Sequence, residues 1–386
     1  MTNNSGLKFS NIDGENNSTS DEIKPVSITE TIPRYSYGYE EHHEHEEHDS
    51  DFARSNSTSD SDKISPSTAV IKPATADIVV NYHGFSEEAK NAFEYAATIW
   101  EGWIKSDVDI EVDAYWKDLS IYHSTVLAGA TVKGFNTQEN TSYAMSLANH
   151  LAGEDLNGDT AEIKVEFNRY LFMDTNKKSI QDKIEQNPDL QSNEWYFGTD
   201  GNTPKDKYDF VTVALHELVH GFGLTDFINY NKGKGSYGNT IFESFIVNSN
   251  NQSLDAFTNH SKELGNQLTS NNLFFNGANA VEANGGEKIK LYAPSTWQNG
   301  SSIAHLDEKT YPKGDTASLM TPFLKSGEAI HNPGAITLGL LEDLGWDIND
   351  DDSQPVSPQA AAPVTEPAPT QPEETPSTTI PILDFN

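Results

Sequence analysis

Val211-Thr-Val-Ala-Leu-His-Glu-Leu-Val-His-Gly-Phe-Gly-Leu-Thr-Asp226 is the stretch on which the reading of this chain turns. Its apolar residues Val211, Ala214, Leu215, Leu218, Val219 and Phe222 recur at three- and four-residue steps, the period of a helix with one buried stripe. On such a helix His216 and His220 stand one turn apart on the same face, where two imidazoles can share one metal ion. Glu217 lies beside them, placed to act as a general base. Gly223 can adopt the left-handed conformation that stops a helix and turns the chain back, which would carry Asp226 round to the same ion. Two histidines, one further protein ligand and an open fourth position are what a catalytic zinc site requires.

The third ligand is open at this level. Asp226 has the right spacing, yet Asp also caps and hydrogen-bonds locally after helix ends. His305, in Ser302-Ile-Ala-His-Leu-Asp307, and Glu243 are the rivals. His305 is expected to line the cleft or to pack beneath the turn at Met320. His83, His123, His150, His260 and His331 lack partners at ligand spacing and read as structural.

The flanking chain sets the domain limits. Residues 1–73 are rich in Ser, Thr, Asn, Asp and Glu and too poor in apolar residues to offset the entropy of ordering, so a disordered acidic region or propeptide is expected. Within it Glu41-His-His-Glu-His-Glu-Glu-His48 reads as a solvated acidic tract with incidental histidines rather than a metal collector. The folded domain is expected over 74–348. Asp77–Tyr82 reads as a strand, Ser86 as the cap of a helix bearing Phe93 and Trp100, and Val108–Trp116 as a half-buried alternating strand. Val126–Val132 and Ile163–Phe167 are further strands, Tyr143–Leu151 a short helix, and Ala335–Trp346 a closing helix stopped by Gly345. An Asn- and Gly-rich insertion over about 231–300 carries strand-like runs at Ile241–Val247 and Lys288–Tyr292. Residues 349–386, with Pro355 to Pro381 spread among Ala, Thr and Glu, read as an extended tail or linker.

Composition removes whole function classes. A formal net charge of -34 on 386 residues opposes binding to nucleic acid or anionic membranes. The absence of cysteine excludes disulfides, thiolate-bound zinc and a thiol nucleophile. No apolar run is long enough to span a bilayer, and Met1–Ser10 lacks the features of a Sec-type signal. Asp155-Leu-Asn-Gly-Asp159 resembles the front of a calcium loop with Glu166 at the twelfth place, but Thr160 stands where that loop needs Gly, so a turn is the expectation and calcium a lesser one.

His216-Glu217-x-x-His220-x-x-Gly223-x-x-Asp226, with Ser318-Leu-Met320-Thr-Pro322 downstream, resembles the metzincin zinc endopeptidases. The Asp form of the third ligand is similar to the snapalysin group, and Met320 to the Met-turn of matrixin-like enzymes. The resemblance implies an α+β, α/β-layered zincin domain: a twisted mixed sheet above the active-site helix, a C-terminal helix, and an edge strand that pairs with extended substrate, for which Ile163–Phe167 is the candidate. It further implies secretion, protein or peptide substrates, a monomer, and catalysis by zinc-activated water with Glu217 as base. With His216, His220 and Asp226 as ligands the site would carry a net charge of +1. The alternative class is a catalytically weak or inactive peptidase-like surface adhesin or matrix-binding module, with the Pro-rich tail as a stalk.

Overall fold

A computed structural model describes residues 76–119, 126–158, 160–169, 171, 194–349 and 379–381. The chain divides into units 1–68 and 69–386, and every described residue belongs to the second. The acidic N-terminal region with its His-rich tract, and most of the Pro-rich tail, lie outside the described residues.

The first strand β1 (Ile78–His83) and β2 (Ile110–Lys117) are parallel neighbours, joined through α1 (Glu87–Trp103). Ser86 caps α1, its hydroxyl accepting from Ala89 N at 3.2 Å. The strand–helix–strand reading therefore holds, and the alternation of Ile110, Val112, Ala114 and Trp116 puts all four side chains in the core. Two more strands, β3 (Ala128–Val132) and β4 (Ile163–Asn168), complete a mixed sheet of order β1-β2-β4-β3, in which only β3 runs antiparallel. Ile163–Phe167 is thus interior and not the edge; that position falls to Ala128–Val132. Ile163, Val165 and Phe167 are buried, and the polar residues of the strand find partners to either side. Glu166 pairs with Lys117 and Lys164, and the Asn168 amide donates to Val126 O.

Helix α2 (Met145–Ala152) ends on Gly153 in the left-handed region. Helix α3 (Phe210–Gly221) lies against the sheet with all its side chains buried. The two layers meet so closely at Gly221 that a Cβ there would stand 2.5 Å from Ile163 Cγ2. On the opposite side the Trp100 indole donates to Leu215 O at 3.2 Å, tying α1 to the residue before His216. The Trp346 indole does the same to Phe222 O at 2.8 Å.

The expected insertion is a structured subdomain. Ile241–Val247, which reads as a strand, is instead the short helix α4 (Ile241–Ser244) followed by β5 (Ile246–Asn248). Thr240 caps that helix by accepting from Glu243 N, a local bond that outweighs the β propensity of the sequence. Helices α5 (Lys262–Leu268) and α6 (Ala278–Ala283) and the strands β6 (Leu273–Phe275) and β7 (Ile289–Lys290) make up the rest, with the sheet ordered β5-β6-β7. A short 3-10 turn, Thr316–Met320, precedes β8 (Phe323–Lys325). The closing helix α7 (Gly334–Leu344) ends at Gly345, φ 120°. It docks on α6, where a Cβ on Gly339 would meet the Ala280 backbone at 2.8 Å. The last described element is β9 (Thr379–Pro381), antiparallel to β8 within a segment that composition reads only as linker. Among the described residues no helix is long and apolar enough to cross a membrane.

Candidate metal centre

Helix α3 owes its position to both ends. At its start the Asp209 carboxylate accepts from Thr212 N and Thr212 Oγ1, both at 2.7 Å, and from Thr203 Oγ1 at 2.6 Å. His331 completes the cap, its Nε2 lying 2.8 Å from Asp209 Oδ1 with both residues buried. His331 is therefore structural, as its sequence context implies, but with a partner no spacing rule could find. At the far end Gly223 takes φ 117° and reverses the chain, as its position after the motif predicts.

His216 and His220 stand one turn apart, and the third group that joins them is His305. Their Nε2 atoms form a triangle: 3.1 Å between His216 and His220, 3.2 Å between His216 and His305, and 3.3 Å between His220 and His305. Each Nδ1 faces a main-chain carbonyl: His216 to Leu319 O at 2.6 Å, His220 to Leu224 O at 2.8 Å, and His305 to Ser301 O at 2.9 Å. A carbonyl can only accept, so each ring carries its proton on Nδ1 and turns a bare Nε2 lone pair toward the other two. Burial holds all three rings neutral. The His220 pKa is pushed down to about 4, and those of His216 and His305 fall further for the same reason, reinforced by their imidazole neighbours.

Three lone pairs pointed at one another in a dry site repel, and a cation between them removes the repulsion. Tetrahedral zinc with Zn–N bonds near 2.05 Å needs its nitrogens about 3.3 Å apart, and the triangle matches. Among the described residues this trio is the group of His, Asp and Glu side chains that could hold a metal ion.

Asp226 does not belong to it. Its Oδ1 accepts from Ile228 N at 2.8 Å, within the turn that follows Gly223. The turn that carries it is bonded on both sides of Asp226: Thr225 O accepts from Thr240 Oγ1, and Phe227 N donates to Glu243. Glu243, the other rival, is likewise committed, its carboxylate accepting from Phe227, Gly238 and Asn239 amides. The calcium expectation finds no support from Glu166, which pairs with two lysines, while Asp155 accepts from Asn157 and Gly158 amides in a turn. Asp159 lies outside the described residues.

The insertion delivers His305. Tyr292 N donates to His305 O, Ile303 N to Tyr292 O, and Asp307 N to Lys290 O, so the strand leaving β7 aligns the ligand segment. Leu306 N then donates to Met320 O at 2.8 Å. The turn at Met320 therefore bonds to the centre twice, through Leu319 O to His216 and through Met320 O to the residue after His305, while the Met320 side chain is wholly buried. Glu217 is also fully buried beside His216. Between Asp226 and Met320 the chain contains two histidines, exposed His260 and buried His305. Of the two, only His305 is buried against His216 and His220.

Compared with protein-family models, with curated proteins and with solved structures, the chain matches none.

Proposed function

We propose that this protein is a zinc-dependent endopeptidase of metzincin-like design, with His216, His220 and His305 as metal ligands and Glu217 as general base. The observation that carries this reading is the convergence of three neutral Nε2 atoms, each fixed in tautomer by a backbone carbonyl, beside the carboxylate of a His-Glu-x-x-His helix.

Zinc bound there would supply Lewis acidity and lower the pKa of water. Three neutral ligands leave the ion its full +2 charge, one more than the two-His, one-Asp set implies, which favours the more acidic water. Glu217 takes a proton from the attacking water as the peptide carbonyl carbon gains an oxygen. It returns that proton to the amide nitrogen as the C–N bond breaks, so one water is consumed and an acid and an amine are released. The carbonyls of Leu319, Leu224 and Ser301 keep the imidazole rings oriented throughout. Extended protein or peptide is the proposed substrate, with the sheet edge Ala128–Val132 and the strand Phe323–Lys325 after Met320 as its backbone partners. The strongly acidic composition suits an extracellular setting.

Metal analysis combined with a casein assay of wild type and Glu217→Ala tests the proposal. One zinc per chain, activity in the wild type and its loss in the variant with zinc retained are expected. Equal activity in the two, or a wild type that binds no zinc, would overturn it.

A further inference from the structure

The metal centre is closed as it stands. His216, Glu217 and His305 have no exposed surface and His220 has 1 %. A peptidase must nevertheless admit an extended backbone alongside its ligands. One strand flanking the centre already has a partner, and the partner comes from this chain.

Strand β8 begins three residues after Met320. Its first residue, Phe323, packs edge-on against Tyr292, ring centroids 5.9 Å apart and planes at 90°, and Tyr292 N is the donor to His305 O. Leu324 is buried. Through Tyr292 this strand is one contact removed from His305, and Leu319, four residues before the strand, bonds to His216. Opposite it β9 runs antiparallel, with Phe323 facing Pro381, Leu324 facing Ile380 and Lys325 facing Thr379.

We propose that the segment containing Thr379–Pro381 is an intramolecular strand that restrains the enzyme by occupying the backbone edge beside the Met320 turn, where it competes with extended substrate. This rests on reading the site as a peptidase. The physical basis is strand addition: main-chain hydrogen bonds supply affinity for any extended segment, so one bound strand excludes another. The sequence supports the assignment. Ile380-Pro-Ile-Leu-Asp-Phe385 is an apolar run following a tail of Pro, Thr, Glu and Ala, a composition change that a uniform linker would not need. Residues 349–378 separate β9 from the end of the folded core, and at about 3.3 Å per residue they are long enough to return to β8. Tethering raises the local concentration of a weak strand to about the millimolar range, so three residue pairs can compete without a tight interface. They also permit release, since so short a pairing opens readily.

The test uses the full-length, zinc-loaded protein and a variant carrying both Thr379→Pro and Ile380→Pro, which removes two backbone donors outside the core. Two quantities are measured: hydrogen exchange at the amides of Phe323–Lys325 that face β9, Lys325 N being committed to Glu328, and kcat/KM on an extended fluorogenic peptide. Faster exchange at those amides is expected, together with a rise of about three- to ten-fold in kcat/KM carried by a lower KM. A synthetic peptide with the sequence of residues 377–384 added to the variant should inhibit it competitively. Unchanged exchange would show that the pairing does not form, and faster exchange with unchanged kinetics would show that it does not restrain; either overturns the strand proposal and leaves the peptidase reading intact. Zinc-loaded protein inactive in both forms would overturn both.

Discussion

The Nδ1–H of His216 donates to the carbonyl of Leu319, 2.6 Å away, joining helix α3 to the residue before Met320 across more than a hundred positions of sequence. This bond makes the Met320 turn a support for the imidazole: it fixes the tautomer, and it would make the ring a better donor to a metal.

Replacing His305 by Ala should lower zinc affinity by more than the ten- to hundred-fold typical of changes behind the ligands. Asp226→Ala should retain one zinc per chain and cost about 1 kcal/mol of stability through the lost bond to Ile228 N. Competition titration against a chromogenic chelator, with thermal melts alongside, separates the two. Zinc loss in the Asp226 variant and retention in the His305 variant would reverse the ligand assignment.

Removing the metal should loosen the insertion's return strand. Without a cation the three Nε2 lone pairs face one another, and the relief of that repulsion is separation of His305 from α3. Chelation is expected to lower Tm and to speed hydrogen exchange at Leu306, whose amide bonds to Met320 O, more than at Val112 in the sheet.

Gly221→Ala places a methyl 2.5 Å from Ile163, between the helix and the sheet. A loss of about 1–3 kcal/mol is expected from overpacking. Trimming the partner in Gly221→Ala/Ile163→Val should recover part of it, and a double-mutant cycle from urea unfolding measures the coupling. Additive effects would show that the contact is not the cause.

Glu308 introduces a pH dependence of stability. Burial, aided by Glu328 and Asp307 and opposed by Thr321 and Lys325, raises its pKa from 4.5 to about 7. The unfolded chain therefore releases this proton at lower pH than the folded one. Its contribution is fully present below pH 4.5 and is lost as pH rises through about 7. Glu308→Gln, which stays neutral, should match wild type near pH 4 and exceed it in urea midpoint at pH 8. A variant no more stable at pH 8 would refute this.

Trp100→Phe tests the tie between α1 and the helix residue preceding His216. The Leu215 carbonyl keeps its helical bond and loses the second one from the indole, at a cost of about 0.5–1.5 kcal/mol. A lowered Tm is expected, with zinc stoichiometry unchanged.

Much of the scaffold was legible where the information is local. Ser86 capping α1, the alternation of β2, the stop at Gly345 and the reversal at Gly223 follow from periodicity and backbone stereochemistry. Local reading failed where partners are distant. Ile163–Phe167 looks the same as an edge or an interior strand until β3 is paired to it. At Ile241–Ser244 the information was local but conflicting, the Thr240 cap opposing the β propensity of the residues after it. Ile380 sits in a Pro-rich tail whose average composition conceals one strand.

By itself the sequence determined that His216, Glu217 and His220 share one helix, because their spacing and the helical period are properties of a single segment. It also excluded thiolate ligands for any metal, since there is no cysteine. Only the tertiary structure decided the third member. Asp226, with the matching spacing, is held by its own turn, whereas His305 arrives through β7, Tyr292 and Met320. Such a choice depends on which backbone donors and acceptors are satisfied after a long insertion folds, and sequence spacing carries no record of it.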